Sequence, residues 1–208
     1  MSQRIRVLCV DDHPLMRDGI AFALQSQDDM ELVGQAVNGE EALKLFRELR
    51  PDVTLMDLQM PGMNGLTAIE KIRADYPKAR IVVLTTYSGD VQASRALKAG
   101  VSGYLLKSML RTELVGTIRA VHSGGRRIQP EVASQLADHF TADALSHREI
   151  EVLRSVAGGN SNKIVADELD ISEDTVKGHM KNILSKLGAN DRTHAVLIAM
   201  KRGFLDAS

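Results

Sequence analysis

The sequence predicts an α/β domain followed by a small all-α domain, and three observations carry that expectation. Five short, β-rich apolar runs alternate with amphipathic stretches over residues 4–122. The stretch 123–145 breaks the rhythm with Ser123-Gly124-Gly125 and closes on the small residues TADA at 141–144. From 146 to 203 no strand-like run occurs, only helical periodicity. The expected division is therefore 1–122, a connector at 123–144 with a short helix starting at Pro130 and carrying Val132 and Leu136, and 145–208.

The apolar runs are 5–10, 32–37, 53–56, 81–84 and 101–106. Continuous runs of this length suit strands covered on both faces, hence a parallel sheet. Helical patterns fall between them, near 14–26, 39–49, 65–74, 90–98 and 111–122. Pro14 suits a first helical turn, where its missing N–H costs nothing. Asn38 and Glu41 have the spacing of a cap with a returning carboxylate. Gly100 follows a helical pattern, as a left-handed C-terminal cap would. Five β-α units make a five-stranded, doubly wound parallel sheet. In the second domain, Ser146 and Glu149 form a capping box for a helix that ends near Gly158-Gly159. A second helix runs from about 162 to 169, Ser172 caps a third that ends at Gly188, and a fourth begins near 191.

Composition narrows the function. Hydrophobic residues make up 44% and charged residues 25%, an ordinary soluble balance. No apolar run approaches the ~18–20 residues that span a bilayer, and no cleavage pattern follows IRVLCV. A cytoplasmic protein without membrane association is expected. The single Cys9 excludes an intrachain disulfide and a cysteine metal site. A net charge of −1 excludes a broadly basic coat but not a local basic face. Residues 167–174 carry five acids and no base, whereas 175–192 carry four bases and one acid.

In an open parallel sheet, ligands bind beyond the carboxyl ends of the strands. The first strand ends in Asp11-Asp12, the third in Asp57, the fourth in Thr85-Thr86 and the fifth near Lys107. Two like charges ~4 Å apart cost ~4 kcal/mol at an effective dielectric near 20. A hard divalent cation relieves that, and oxygen ligands favour Mg²⁺. A metal beside a carboxylate, with a hydroxyl and an ammonium opposite, is a phosphoryl-transfer arrangement. Asp57 is the candidate nucleophile, because its strand is central and the Gln59-Met60-Pro61-Gly62 loop follows it. Taken singly, each Asp has a simpler reading as a helix cap or strand end. Their convergence with Thr85 and Lys107 is what points to chemistry.

The motifs VDDHP (10–14), LMDLQMPGMNG (55–65), VVLTTY (82–87) and AGVSGYLLK (99–107) resemble those of response-regulator receiver domains. The resemblance implies that Asp57 accepts phosphate from a sensor histidine kinase. It implies Mg²⁺ held by Asp11, Asp12, Asp57 and the Gln59 main-chain carbonyl. It further implies Thr85 as switch hydroxyl, Tyr104 as switch aromatic and Lys107 as the invariant lysine. Tyr104 also reads as a static core aromatic, and His13 as a helix-start residue beside the acids. Ser108 stands where that family often has proline, which leaves the geometry of the Lys107–Ser108 bond open.

In the third helix of the second domain, Val176, Met180, Ile183 and Leu187 form a buried stripe. Lys177, Gly178, Lys181, Asn182 and Ser185 lie elsewhere. Such lysines either form a solvated face or straddle phosphates and reach guanine edges. LSHREIEVL (145–153), GGNSNKIVADELDIS (158–172), TVKGHMKNILSKLG (175–188) and NDRTHAV (190–196) resemble the LuxR-type helix-turn-helix. With the receiver, the whole chain resembles NarL/FixJ-type response regulators. That resemblance implies Lys177, Gly178 and Lys181 facing bases, Thr175, His179 and Lys186 on the DNA backbone, and Asn162 and Lys163 reaching phosphates. The last helix, with Val196, Ala199 and Met200, resembles a dimer contact, and a core role for the same residues is equally open. Implied partners are DNA with inverted half-sites, a kinase, a second copy once phosphorylated, and RNA polymerase as a further candidate. A turnover phosphatase is disfavoured because Asp57-Leu58-Gln59 lacks the second carboxylate of Asp-x-Asp phosphatases. A receiver that signals without phosphate is disfavoured by the intact set Asp11, Asp12, Asp57, Thr85 and Lys107.

Overall fold

A computed structural model describes residues 4–86, 90–128 and 145–205. The chain divides into two compact units, one holding a sheet and the other the C-terminal helices. The expected short helix at Pro130 and the TADA stretch lie outside the described residues.

The first unit alternates β1 (Ile5–Val10), α1 (Pro14–Gln25), β2 (Met30–Ala36), α2 (Gly39–Leu49), β3 (Val53–Asp57), α3 (Gly65–Asp75), β4 (Ile81–Thr85), α4 (Asp90–Lys98), β5 (Gly103–Leu106) and α5 (Leu110–His122). A single 3-10 turn, Lys107–Met109, leads into α5. Every residue of β3 and β4 is buried, as expected of strands covered on both faces. Leu55, Val82, Leu84, Ile118 and Val121 anchor one core layer. Cys9 is buried in it, and burial above all, helped by Asp11, pushes its thiol up to about 12.

The expected caps form. Asn38 accepts the Glu41 N–H at 2.9 Å, and Glu41 returns its carboxylate to the Val37 N–H at 3.0 Å. Pro14 opens α1, and Gly100 takes φ +84 after α4. Among the described residues no peptide bond is cis, so Lys107–Ser108 is trans.

The strand order is β2-β1-β3-β4-β5-β6, all parallel, so the sheet has six strands where the sequence predicts five. The extra one, β6 (Arg127–Ile128), pairs with Gly103 and Tyr104. Ser123-Gly124-Gly125 does not simply break structure. It caps α5, with Gly124 at φ +91 and the Gly125 N–H on the Ala120 carbonyl, and turns the chain back onto the sheet. A two-residue strand is too short to leave an alternating pattern in sequence.

The second unit comprises α6 (His147–Ala157), α7 (Asn162–Leu169), α8 (Glu173–Leu187) and α9 (Arg192–Arg202). Ser146, Ser161, Ser172 and Asp191 cap them, and Gly188 ends α8 at φ +62. Val152, Leu153, Val165, Val176, Ile183, Ala195 and Ala199 meet in one apolar core. Ala199 is thus a core residue, while Leu197 of α9 is exposed.

Candidate functional site

Three strand ends deliver the carboxylates and the lysine to one place. The Lys107 ammonium lies 2.7 Å from Asp57 Oδ2 and 2.8 Å from Asp11 Oδ2. Asp11 is fully buried and Asp57 is 3% exposed, so neither charge is dispersed by water. Asp57 Oδ1 accepts the Gln59 N–H at 3.1 Å, which fixes the start of the following loop. Asp11 Oδ1 accepts the His13 N–H at 2.9 Å, and Arg17 donates to the Asp11 carbonyl at 2.7 Å. Sequence reasoning missed Arg17; its place one turn into α1 was the available signal.

Burial pushes the Asp57 carboxyl above its ordinary range; Lys107 and the Gln59 N–H oppose this, and Asp11 adds to it. Burial pulls Lys107 down, yet Asp11 and Asp57 outweigh it and hold the ammonium above its usual value. One ammonium therefore faces Asp11 and Asp57 while Asp12 stands alongside, leaving a surplus of negative charge. One donor atom each from Asp11, Asp12, His13 and Asp57 lies within 4.8 Å of the others. This acidic cluster fits a divalent cation. His13 is the N-cap of α1, as expected, but its Nδ1 also reaches Asp12 Oδ1 at 2.8 Å, so it stands inside the donor set.

Thr85 closes β4 and is 1% exposed, whereas Thr86 is exposed. Tyr104 is fully buried. Burial raises its phenol pKa, and the Thr85 side chain lowers it in part.

Gly65 escaped the sequence reading. A Cβ there would lie 1.8 Å from the Asp57 carbonyl oxygen and 2.9 Å from Leu58 Cα. Its N–H donates to the Leu58 carbonyl at 3.1 Å. The first turn of α3 therefore rests directly on the backbone that carries Asp57. A glycine at the start of a helix already capped by Asn64 was the available signal.

In α8 the buried residues are Val176, Met180, Ile183 and Leu187, matching the expected stripe. Lys177, Gly178, Lys181 and Thr175 are exposed, and His179 is half-buried. Lys177 pairs with Asp174 at 2.8 Å, and the Thr175 hydroxyl bonds the Ser172 cap at 2.8 Å. Asn162 and Lys163 occupy the first turn of α7. Lys186 differs from the others: its ammonium sits 2.8 Å from the buried Glu149. Nothing lies within 4 Å of where a Gly178 Cβ would be, so packing does not require glycine there. Gly178→Ala is expected to stabilise the helical unit by about 0.5–1 kcal/mol. A higher midpoint in urea, followed by amide exchange in α8, is the check.

Comparison with known proteins agrees with this geometry. Residues 7–119 match the family model described as response regulator receiver domain, and 143–199 match that of bacterial regulatory proteins, luxR family. The chain is 40% identical to the response regulator GacA of Pseudomonas viridiflava, over 98% of this chain and 99% of that one. It is 35% identical to the transcriptional regulatory protein LnrK of Bacillus subtilis, over 96% and 98%. Among solved structures, RcsB from Salmonella enterica serovar Typhimurium, bound to a promoter in the presence of a phosphomimetic, aligns with TM-score 0.74 at 27% identity. That match covers 96% of this chain and 99% of RcsB.

Proposed function

Since the chain belongs to the response regulators that join a receiver domain to a LuxR-family regulatory domain, we propose that phosphorylation of Asp57 by a sensor histidine kinase controls its binding to DNA. The observation that carries this is the Lys107 ammonium held between Asp11 and Asp57, with negative charge left over. The family consists of transcriptional regulators rather than turnover enzymes.

Asp11, Asp12, Asp57 and the Gln59 carbonyl would hold Mg²⁺, which when bound neutralises phosphoryl oxygens. An Asp57 carboxylate oxygen attacks the phosphorus of the kinase phosphohistidine. The P–N bond breaks and the imidazole leaves. Lys107 accompanies the new charge, exchanging one carboxylate contact for a phosphoryl oxygen. The added roughly −1.5 to −2 charge offers acceptors to the Thr85 hydroxyl. Tyr104 moves into the space that Thr85 vacates and passes the change to the α4–β5–α5 face.

On DNA, α8 enters the major groove, with Lys177, Gly178 and Lys181 toward base edges. Thr175, His179, Asn162 and Lys163 contact the backbone. Two copies sit on inverted half-sites about 34–36 Å apart. Dimerisation upon phosphorylation and contact with RNA polymerase complete this reading. Among the described residues, no helix is long and apolar enough to cross a membrane. We place the protein in the cytoplasm, with 1–122 as receiver, 123–144 as connector and 145–208 as DNA reader.

Acetyl phosphate with Mg²⁺ should label the chain and tighten binding to its operator by about 5–150-fold. Asp57→Asn should remove both effects, measured by acid-labile phosphate and by fluorescence anisotropy. Persistent stimulation in that variant would sink the proposal.

A further inference from the structure

The Lys186–Glu149 pair is more than a surface bridge. Glu149 is 4% exposed, and a single oxygen, Oε2, receives both the Lys186 ammonium at 2.8 Å and the Ser146 N–H at 2.7 Å. The Ser146 hydroxyl accepts the Glu149 N–H at 3.2 Å, closing the capping box. Burial works against the carboxylate, but Lys186 and the Ser146 donors outweigh it and hold Glu149 below its usual range. The pair joins the first turn of α6 to the last turn of α8. Elsewhere these helices meet through apolar side chains such as Val152, Leu153, Met180 and Ile183. Apolar contacts are non-directional. Glu149 is buried while the Lys186 side chain keeps 28% exposure, and a charge pair anchored on a buried carboxylate sets register between the helices it joins.

We infer that Glu149 and Lys186 are positioning residues: their pair fixes the pose of α8, so that Lys177 and Lys181 are presented at one angle, and Lys186 affects DNA affinity through Glu149 rather than through a phosphate. The inference rests on the DNA-binding reading above. It takes Lys186 out of the backbone-contact role that the family resemblance implies and adds Glu149, a residue that touches no DNA, to those on which specificity depends.

The test uses the full chain, a duplex of about 30 base pairs selected by the phosphorylated protein from a random pool, and a random duplex of the same length. Affinities are measured across a salt series. Lys186→Met and Glu149→Gln should each weaken binding to the selected duplex about tenfold and narrow its advantage over the random one. The slope of log affinity against log salt should stay unchanged. The double variant should be no worse than either single, and Lys186→Arg should restore affinity. Lys163→Ala, at a backbone contact, supplies the contrast, with a slope reduced by about 0.9. A slope reduced by about 0.9 in Lys186→Met, with Glu149→Gln binding normally, would identify a phosphate contact and overturn the inference. Unchanged affinity in both single variants would overturn it too. If Glu149→Gln unfolds the helical unit, the Lys186→Met slope and the Lys186→Arg rescue still decide. Failure of the native chain to bind any duplex would instead defeat the DNA-binding reading itself.

Discussion

Lys107→Met should lower the stability of the receiver by about 3–5 kcal/mol at pH 7.5, the cost of leaving buried carboxylates without their cation. The native ammonium touches both Asp57 and Asp11, and its side chain is only 6% exposed. Without it, Asp57, already above its ordinary range through burial, loses the foremost influence that lowers it. The sign follows from linkage. A carboxyl whose pKa is higher folded than unfolded costs nothing at pH values below the unfolded pKa. Its cost grows as pH rises toward the folded value and then levels off. The deficit of Lys107→Met should therefore shrink as pH falls toward 4. Mg²⁺ should recover part of it at neutral pH, since a cation favours the folded state that binds it. All three tyrosines, Tyr76, Tyr87 and Tyr104, lie in the first 104 residues, and the chain has no Trp. Tyrosine fluorescence in urea thus reports this unit alone. An equal deficit at pH 5 and pH 7.5 would contradict the electrostatic account.

Gly65→Ala should slow labelling of Asp57 by acetyl phosphate about a hundredfold and destabilise the receiver by about 1–3 kcal/mol. A methyl cannot occupy a point 1.8 Å from the Asp57 carbonyl oxygen, so α3 or the end of β3 must move. Either movement misplaces a carboxylate that Lys107 holds at 2.7 Å, and displacements near 1 Å carry penalties of this size. Gly19→Ala is the control. Nothing lies within 4 Å of its Cβ position in α1, so that change should leave labelling intact. Initial labelling rates at fixed Mg²⁺ separate the two variants.

The sequence made the sheet, the nine expected strand-flanking and C-terminal helices, and the convergence of Asp11, Asp57 and Lys107 legible for a common reason. Each is set by local chemistry or by a general rule of strand ends. Asn38 with Glu41, and Ser146 with Glu149, bond within three residues, so spacing alone reveals them. What escaped depends on approach in space. The strand β6 exists because the Arg127 N–H meets the Ser102 carbonyl, a partner on another element. Gly65 is demanded by backbone eight residues earlier, after a turn has folded. Lys186 reads as a basic surface residue until Glu149, 37 positions away, lies against it. Tyr104 reads from sequence either as a switch aromatic or as a static core aromatic, and its full burial is compatible with both.

The lone thiol of Cys9 gives the molecule a built-in clock. It lies next to the last residue of β1, fully shielded, with its pKa pushed up to about 12. The thiolate is the nucleophile that attacks an alkylating reagent, and the reagent must reach it. In the closed sheet neither condition is met. Labelling of this single site therefore proceeds only through opening of the strands that carry the acidic cluster. With fast reagent its rate measures that opening directly, without denaturant. The same rate, followed while Mg²⁺ or a phosphoryl mimic is added, reports how far each ligand slows the opening of the sheet.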